Sequence, residues 1–102
     1  MPKTSPLILP AATRSALKQL GKSLARARLA RRDTQEVAGE RLGVHAQTIA
    51  RIERGDPRVA IGTVFAMMTF YGRTDALQAL AEDDDVTVTL AQQTLPKRGS
   101  TG

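Results

Sequence analysis

Four polar side chains between residues 47 and 54 have the types and the spacing for binding a partner rich in hydrogen-bonding and anionic groups. Gln47 offers a planar amide, Thr48 a hydroxyl, and Arg51 and Arg54 offer guanidinium groups. Gln47, Arg51 and Arg54 recur at the spacing of one helix face. Amide and guanidinium groups make paired hydrogen bonds to base edges, and all of these groups can donate to phosphates. The pattern therefore predicts a surface helix with the chemistry to contact a nucleic-acid duplex.

Two short helices joined by a tight turn are needed to position these side chains, and the segment 33–55 has the residues for them. Thr34 is suited to cap the first helix, and Gly43 can adopt the left-handed conformation that ends it. Ile49 and Ile52 then face inward from the second helix. This is the layout of a helix-turn-helix, whose second helix enters the major groove.

Residues for other kinds of chemistry are few. The chain has one histidine, His45, and no cysteine, so it has little with which to bind a transition metal or form a catalytic dyad. Gly21-Lys22-Ser23 resembles the end of a phosphate-binding loop, but Ala16 stands where the first glycine is required. Asp83–Asp85 lacks the spacing of a calcium loop. We expect no enzyme activity, no metal and no cofactor.

The remaining apolar periodicity predicts helices on both sides of this segment. A helix is expected from about residue 11 to residue 32, burying Leu17, Leu20, Leu24 and Ala27. A fourth is expected before Gly72, and a fifth capped by Thr74 or Asp75. The residues expected to face inward from these two are Ile61, Val64, Phe65, Met67, Met68, Phe70, Leu77 and Leu80.

The segment after the fifth helix permits two interpretations. Val86 to Leu90 alternates β-branched residues as a strand does, yet Asp83–Asp85 could cap a helix that continues through Gln93. The expected organisation is an arm over residues 1–10, a DNA-binding domain over 11–81, an extension over 82–95 and a basic tail over 96–102. The fold class is all-α, with either a strand or a short helix near the C-terminus.

Composition favours a polyanionic partner. The chain of 102 residues carries 15 Lys and Arg against 10 Asp and Glu, a net charge of +5. Only three residues are aromatic, Phe65, Phe70 and Tyr71, which argues against binding of single strands by base stacking. No apolar run approaches the ~18 residues of a membrane span, so we expect a soluble cytoplasmic protein.

A line of like charges runs along the first predicted helix. Arg14, Lys18, Lys22 and Arg26 are spaced four residues apart, and no acidic residue occurs between residues 14 and 32. Like charges at this spacing cost a few tenths of a kcal/mol per pair. Either a polyanion offsets that cost, or the line is a solvated face screened by salt.

Residues 21–72 resemble the lambda repressor/Cro-like helix-turn-helix family, also called the xenobiotic-response-element family. In one position pair the chain departs from the family pattern, because Ala38 and Gly39 stand where Leu and Ala are usual. We therefore expect the second helix either to pack more tightly or to be less stable. The residues that carry the resemblance are Gly21, Leu24, Arg28, Thr34-Gln35-Glu36, Arg41-Leu42-Gly43-Val44, Thr48-Ile49, Arg51-Ile52-Glu53 and Gly55.

The resemblance implies a five-helix, lambda-repressor-like domain and assigns roles to single residues. It implies that Arg28 and Glu53 form a structural ion pair between the first and third helices. It implies base reading by three residues of the third helix, Ala46, Gln47 and Arg51. The residues it places against phosphates are Gln35, His45, Thr48 and Arg54.

The C-terminal part of the chain adds a second, narrower resemblance. The run from Gly55 to Leu80, the acidic residues after it and Leu95-Pro96-Lys97-Arg98 are similar to HipB-type antitoxins of type II toxin–antitoxin modules. The resemblance implies a bacterial, nucleoid-associated homodimer that binds palindromic operator DNA, represses its own transcription and neutralises a HipA-like serine/threonine kinase toxin. For the dimer interface, the candidates are Phe70, Tyr71 and residues 86–95.

Two other functions remain open at the level of sequence. A stand-alone repressor of the same family would bind operator DNA without a toxin partner. A basic interaction module would instead place its first helix on an acidic protein or an anionic surface.

Overall fold

The computed structural model describes residues 8–94, and all regular structure within that range is helical. Most of the predicted arm and the whole of the predicted tail lie outside the described residues. The expected all-α fold is confirmed, and the five expected helices are followed by a short helix in the C-terminal segment. In chain order the helices are α1 (Ala11–Ala30), α2 (Gln35–Leu42), α3 (Ala46–Arg54), α4 (Ile61–Phe70), α5 (Thr74–Ala81) and α6 (Asp85–Thr94).

The core lies where α1, α2, α3 and α4 meet. Leu24, Ile49 and Met67 are fully buried there, and burial of each such side chain stabilises the fold by roughly 1.5–3 kcal/mol. Leu20 and Ala27 from α1 pack against this core as expected, half-buried. The first three helices are thereby held in a fixed arrangement by apolar contact.

For two residues the expectation that they face inward is wrong. Ile61 and Leu80 are each 67% exposed, whereas Met67 and Met68 are buried as expected. Ile61 is the first residue of α4, where the helix has only begun to approach the core. Leu80 lies in the last turn of α5, a helix that packs on α4 and buries Leu77 only in part.

The segment after α5 is a helix, which decides between the two interpretations left open by its sequence. The carboxylate of Asp84 accepts hydrogen bonds from the backbone N–H of Thr87 at 2.6 Å and from its hydroxyl at 2.7 Å. These bonds cap α6 and hold the pKa of Asp84 below its usual value. A strand would need a partner for its backbone, and no other strand occurs in residues 8–94.

The expectation that Thr74 or Asp75 caps α5 is also wrong. The helix begins at Thr74 itself, and Arg73 occupies the N-cap position without a side-chain hydrogen bond. The backbone N–H of Arg73 donates to Met68 O at 2.7 Å, closing the turn through Gly72, whose φ is 81°. Because of this tight connection the helix begins at Thr74, so neither Thr74 nor Asp75 is its N-cap.

Candidate nucleic-acid interface

The turn between α2 and α3 has the capping chemistry that its sequence predicts. The hydroxyl of Thr34 accepts a hydrogen bond from the backbone N–H of Val37 at 3.0 Å, and Gly43 is left-handed with φ 73°. Val44 N–H then donates to Gly39 O at 2.9 Å. These local bonds fix the direction in which α3 leaves the turn.

Gly39 permits a close approach between α2 and the turn. A Cβ placed on Gly39 would lie 2.5 Å from the carbonyl oxygen of Val44, a distance that real side chains do not tolerate. Ala38 beside it is fully buried. The departure of these two residues from the family pattern therefore accompanies tighter packing of α2 against the start of α3.

α1 holds the other end of α3. A Cβ on Gly21 would lie 2.5 Å from Glu53 O and 2.6 Å from Ile52 O, so the two helix backbones meet closely at that glycine. Gly55 ends α3 with φ 78°, and a Cβ there would lie 2.8 Å from the backbone nitrogen of Lys18. Backbone contact with α1 thus fixes the C-terminal end of α3.

The predicted base-reading residues lie along the side of α3 that points away from the core. Gln47 and Arg51 are exposed, opposite the buried Ile49 and Ile52, and Ala46 is half-buried. Within residues 8–94, neither the Gln47 amide nor the Arg51 guanidinium has a hydrogen-bonding or ionic partner. Their donors are oriented by the helix and available to an external ligand.

The predicted phosphate-binding residues differ in their surroundings. Arg54 and His45 are exposed and Thr48 is half-buried at the start of α3. His45 occupies the N-cap position of α3 but makes no side-chain capping bond. Gln35 is half-buried and donates through Nε2 to Oε1 of Glu53 at 3.1 Å. Phosphate binding by Gln35 therefore has to compete with this internal bond.

The ion pair implied by the family resemblance is present. Arg28 donates through Nε and Nη2 to the two carboxylate oxygens of Glu53, at 2.6 and 2.9 Å, in bidentate geometry. Its Nη1 donates to Asp33 O at 2.8 Å, so one guanidinium ties together α1, α3 and the segment before α2. Both side chains are about nine-tenths buried. Hydrogen bonding to Glu53 raises the pKa of Arg28, which stays charged.

A second polar network joins the site to the end of α4, and no pattern in the sequence indicated it. The hydroxyl of Tyr71 donates to Oδ2 of Asp33 at 2.9 Å, and Nε of Arg41 lies 3.2 Å from the same oxygen. Arg31 donates to Phe70 O at 2.7 Å and lies over the Tyr71 ring. Burial and the bond to Asp33 raise the pKa of Tyr71 to about 12.

No local signal could have found this network, because Asp33 and Tyr71 are 38 positions apart. The same contacts remove Tyr71 from the candidate dimer interface, since its side chain is only 4% exposed. Phe70 is half-buried, and the ring of Phe70 meets that of Tyr71 edge to face.

The comparison with known families agrees with this geometry. Residues 19–81, more than half of the 102-residue chain, match the family described as a helix-turn-helix domain. No curated protein and no solved structure matches the chain. Residues 8–94 contain no group of acidic, histidine or cysteine side chains that could hold a metal ion, and no helix long and apolar enough to span a bilayer.

Proposed function

We propose that this chain, which belongs to the helix-turn-helix domain family and is a DNA-binding protein, reads a palindromic operator as a homodimer and represses transcription from it. One observation carries the proposal. Gln47 and Arg51 are exposed and have no partner among residues 8–94, and close backbone contacts fix the two ends of the helix that carries them. Fixed donors of this kind are suited to sequence reading in the major groove, with Arg matched to guanine and Gln to adenine.

The proposed division of labour separates base reading from phosphate binding. Arg51 and Gln47 read bases, and Ala46 offers an apolar contact to a thymine methyl group. Arg54, Thr48, His45 and Gln35 bind phosphates, with Gln35 exchanging its bond to Glu53 for one to the DNA backbone at the N-terminus of α2.

A gel-shift comparison of two variants tests this division. Operator sequences are first selected from a random duplex library with the wild-type protein. We expect Arg51→Ala to lose about 1–3 kcal/mol on the selected operator and to relax preference at one base pair of each half-site. Arg54→Ala is the matched control, because it removes a second exposed guanidinium one turn away. It should weaken binding to all duplexes alike. Unchanged affinity and preference in Arg51→Ala would overturn the assignment of α3 as the reading helix.

The homodimer is proposed to form through α5 and α6. Leu80, Val86 and Leu90 are 67%, 69% and 55% exposed on these consecutive helices, and α6 lies outside the core formed by α1 to α4. A second copy of this surface would bury all three. Each half of a palindrome then receives one α3, with the two recognition helices about 34 Å apart.

We further propose that the repressor is an antitoxin that neutralises a HipA-like kinase in the bacterial cytoplasm. The similarity of residues 55–98 to HipB-type antitoxins supports this assignment. The alternative is a stand-alone repressor of the same family. The antitoxin assignment would be supported by a kinase-like gene next to the coding sequence. The product of that gene should co-purify with this chain and be inhibited by it. A purified neighbour whose activity the chain leaves unchanged would decide for the stand-alone repressor.

A further inference from the structure

α1 carries a line of four cations that the proposed function leaves unused. Arg14, Lys18, Lys22 and Arg26, hereafter the α1 ridge, are all exposed. α1 contains no acidic residue, and within residues 8–94 none of the four lies within ion-pair distance of a carboxylate. Arg14 alone has an internal bond, from Nη1 to Leu9 O at 3.0 Å. The ridge is therefore a row of mutually repelling charges whose best partner is a polyanion.

The ridge lies on the flank of α1 that is turned away from α4. The opposite flank is occupied, because Leu20 and Ala27 pack on the core and Arg31 donates to Phe70 O at the end of α4. Lys18 follows Leu17 and Lys22 follows Gly21, the positions at which α1 meets the end of α3. Since successive residues are ~100° apart around a helix, both lysines stand immediately beside that contact.

The ridge is continuous with the basic end of the recognition helix. A Cβ on Gly55 would lie 2.8 Å from the backbone nitrogen of Lys18, and Gly55 directly follows Arg54. From Lys18 the ridge extends along α1 by ~6 Å to Arg14 and by ~12 Å to Arg26, ~18 Å in all. About five base pairs of duplex DNA, at ~3.4 Å each, span the same length.

We infer that the α1 ridge binds the phosphate backbone of the DNA that flanks the half-site read by α3. The inference rests on the proposed function, because α3 has to bring the duplex to this side of the molecule. DNA is favoured over an acidic protein because the ridge joins the Arg54 end of α3, and because its regular charges suit a regular row of phosphates. Such contacts carry no base information, so they lengthen the site without adding to the sequence read.

The test removes the ridge and compares short with extended operators. The variant carries Lys18→Gln, Lys22→Gln and Arg26→Gln, which lowers the net charge of +5 by three. The control carries Ala66→Glu, Gln78→Glu and Gln92→Glu, which lowers it by the same amount at exposed positions of α4, α5 and α6. Circular dichroism melts establish that both are folded. Affinity is measured from about 50 to 200 mM salt, on the selected operator alone and with about five further base pairs at each end.

We expect the wild type to gain affinity from the added flanks and the ridge variant to gain none. The slope of log affinity against log salt should fall by about 0.9 for each phosphate that the variant no longer binds, hence by about 2.7 per protomer for three. The control should keep both the flank gain and the slope on the extended operator.

Three results would overturn the inference. One is a ridge variant with the flank gain and salt slope of the wild type, and another is an equal reduction in variant and control. The third is a ridge variant that no longer binds phosphatidylserine vesicles or an acidic protein but still binds DNA as the wild type does. That result would assign the ridge to the vesicle surface or to the acidic protein. Failure of the proposed function looks different, because the wild type would then bind no duplex with a preference that depends on Arg51.

Discussion

At the scale of single residues, the hydrogen bonds of Glu53 connect the packing of the fold to the candidate binding site. Its carboxylate accepts two bonds from Arg28 and one from Gln35, so it links the ion pair that holds α3 to a residue assigned to phosphate binding. Release of Gln35 to a phosphate would leave Glu53 fully paired with Arg28. Glu53 can therefore stabilise the fold through Arg28 while Gln35 binds a phosphate.

We expect Glu53→Gln to destabilise the fold by about 3 kcal/mol. The substitution leaves the guanidinium of Arg28 buried without its counter-charge, and broken buried pairs typically cost 3–5 kcal/mol. Urea denaturation of the purified protein measures the change. Glu36→Gln is the matched control, because Glu36 is an exposed acid of α2 and should change stability by less than about 0.5 kcal/mol. Equal effects in both variants would show that the buried pair is dispensable.

Tyr71 gives a pH-dependent prediction with a direct optical readout. Its pKa in the folded chain is about 12 against an ordinary value of 10.0, so the folded state keeps the phenol proton that the unfolded state loses. The stabilisation from this side chain is complete below pH ~10 and is lost as the pH rises toward ~12. Over that window it amounts to about 2–3 kcal/mol.

As the only tyrosine in a chain without tryptophan, Tyr71 can be titrated by its ultraviolet absorbance. We expect a midpoint near pH 12 in the folded protein and near pH 10 in urea. In denaturation experiments Tyr71→Phe should lack the loss of stability between these pH values. A folded-state midpoint near 10 would contradict the buried bond to Asp33.

At the scale of elements, the packing of α2 against the turn depends on glycine at position 39. Helix propensity alone favours Ala there by about 1 kcal/mol. The added Cβ, however, would meet the carbonyl oxygen of Val44 at 2.5 Å, and this backbone atom cannot move without shifting the turn that aims α3. The steric cost of the added Cβ should therefore exceed the gain in helix propensity at position 39.

We expect Gly39→Ala to lower both the melting temperature and the affinity for operator DNA. Gly62→Ala is the matched control, because Gly62 also lies in a helix but a Cβ there would meet nothing within 4 Å. That variant should gain about 0.5–1 kcal/mol of stability and leave DNA affinity unchanged. A stability gain in both variants would show that the turn relaxes around the extra methyl group.

At the scale of the whole molecule, the two ends of the helical array have different characters. α1 to α4 bury a common core, whereas α5 and α6 leave Leu80, Val86 and Leu90 exposed. α5 packs on α4, whereas α3, which carries the candidate DNA-binding residues, packs on α1 and α2. The proposed dimer therefore joins through one side of the molecule and binds DNA through another.

We expect Leu90→Asp to convert the proposed dimer to a monomer without unfolding the chain, because Leu90 is already 55% exposed in a single chain. Light scattering after gel filtration measures the mass, and gel shifts measure affinity for a half-site and for the full palindrome. Only the affinity for the palindrome should fall. Gln92→Asp introduces the same charge at an exposed position of α6 and serves as control. A Leu90→Asp protein that stays dimeric would place the interface elsewhere.

The sequence by itself determined the local features of this protein. Thr34 and Gly43 fix the ends of α2 through bonds to residues a few positions away, and the spacing of Ile49 and Ile52 leaves Gln47 and Arg51 outward. Only the tertiary structure decided that Leu80 is exposed and that Tyr71 is buried against Asp33. The physical reason is range: caps and periodicity act within one or two helical turns, whereas burial depends on which distant segment reaches the same place.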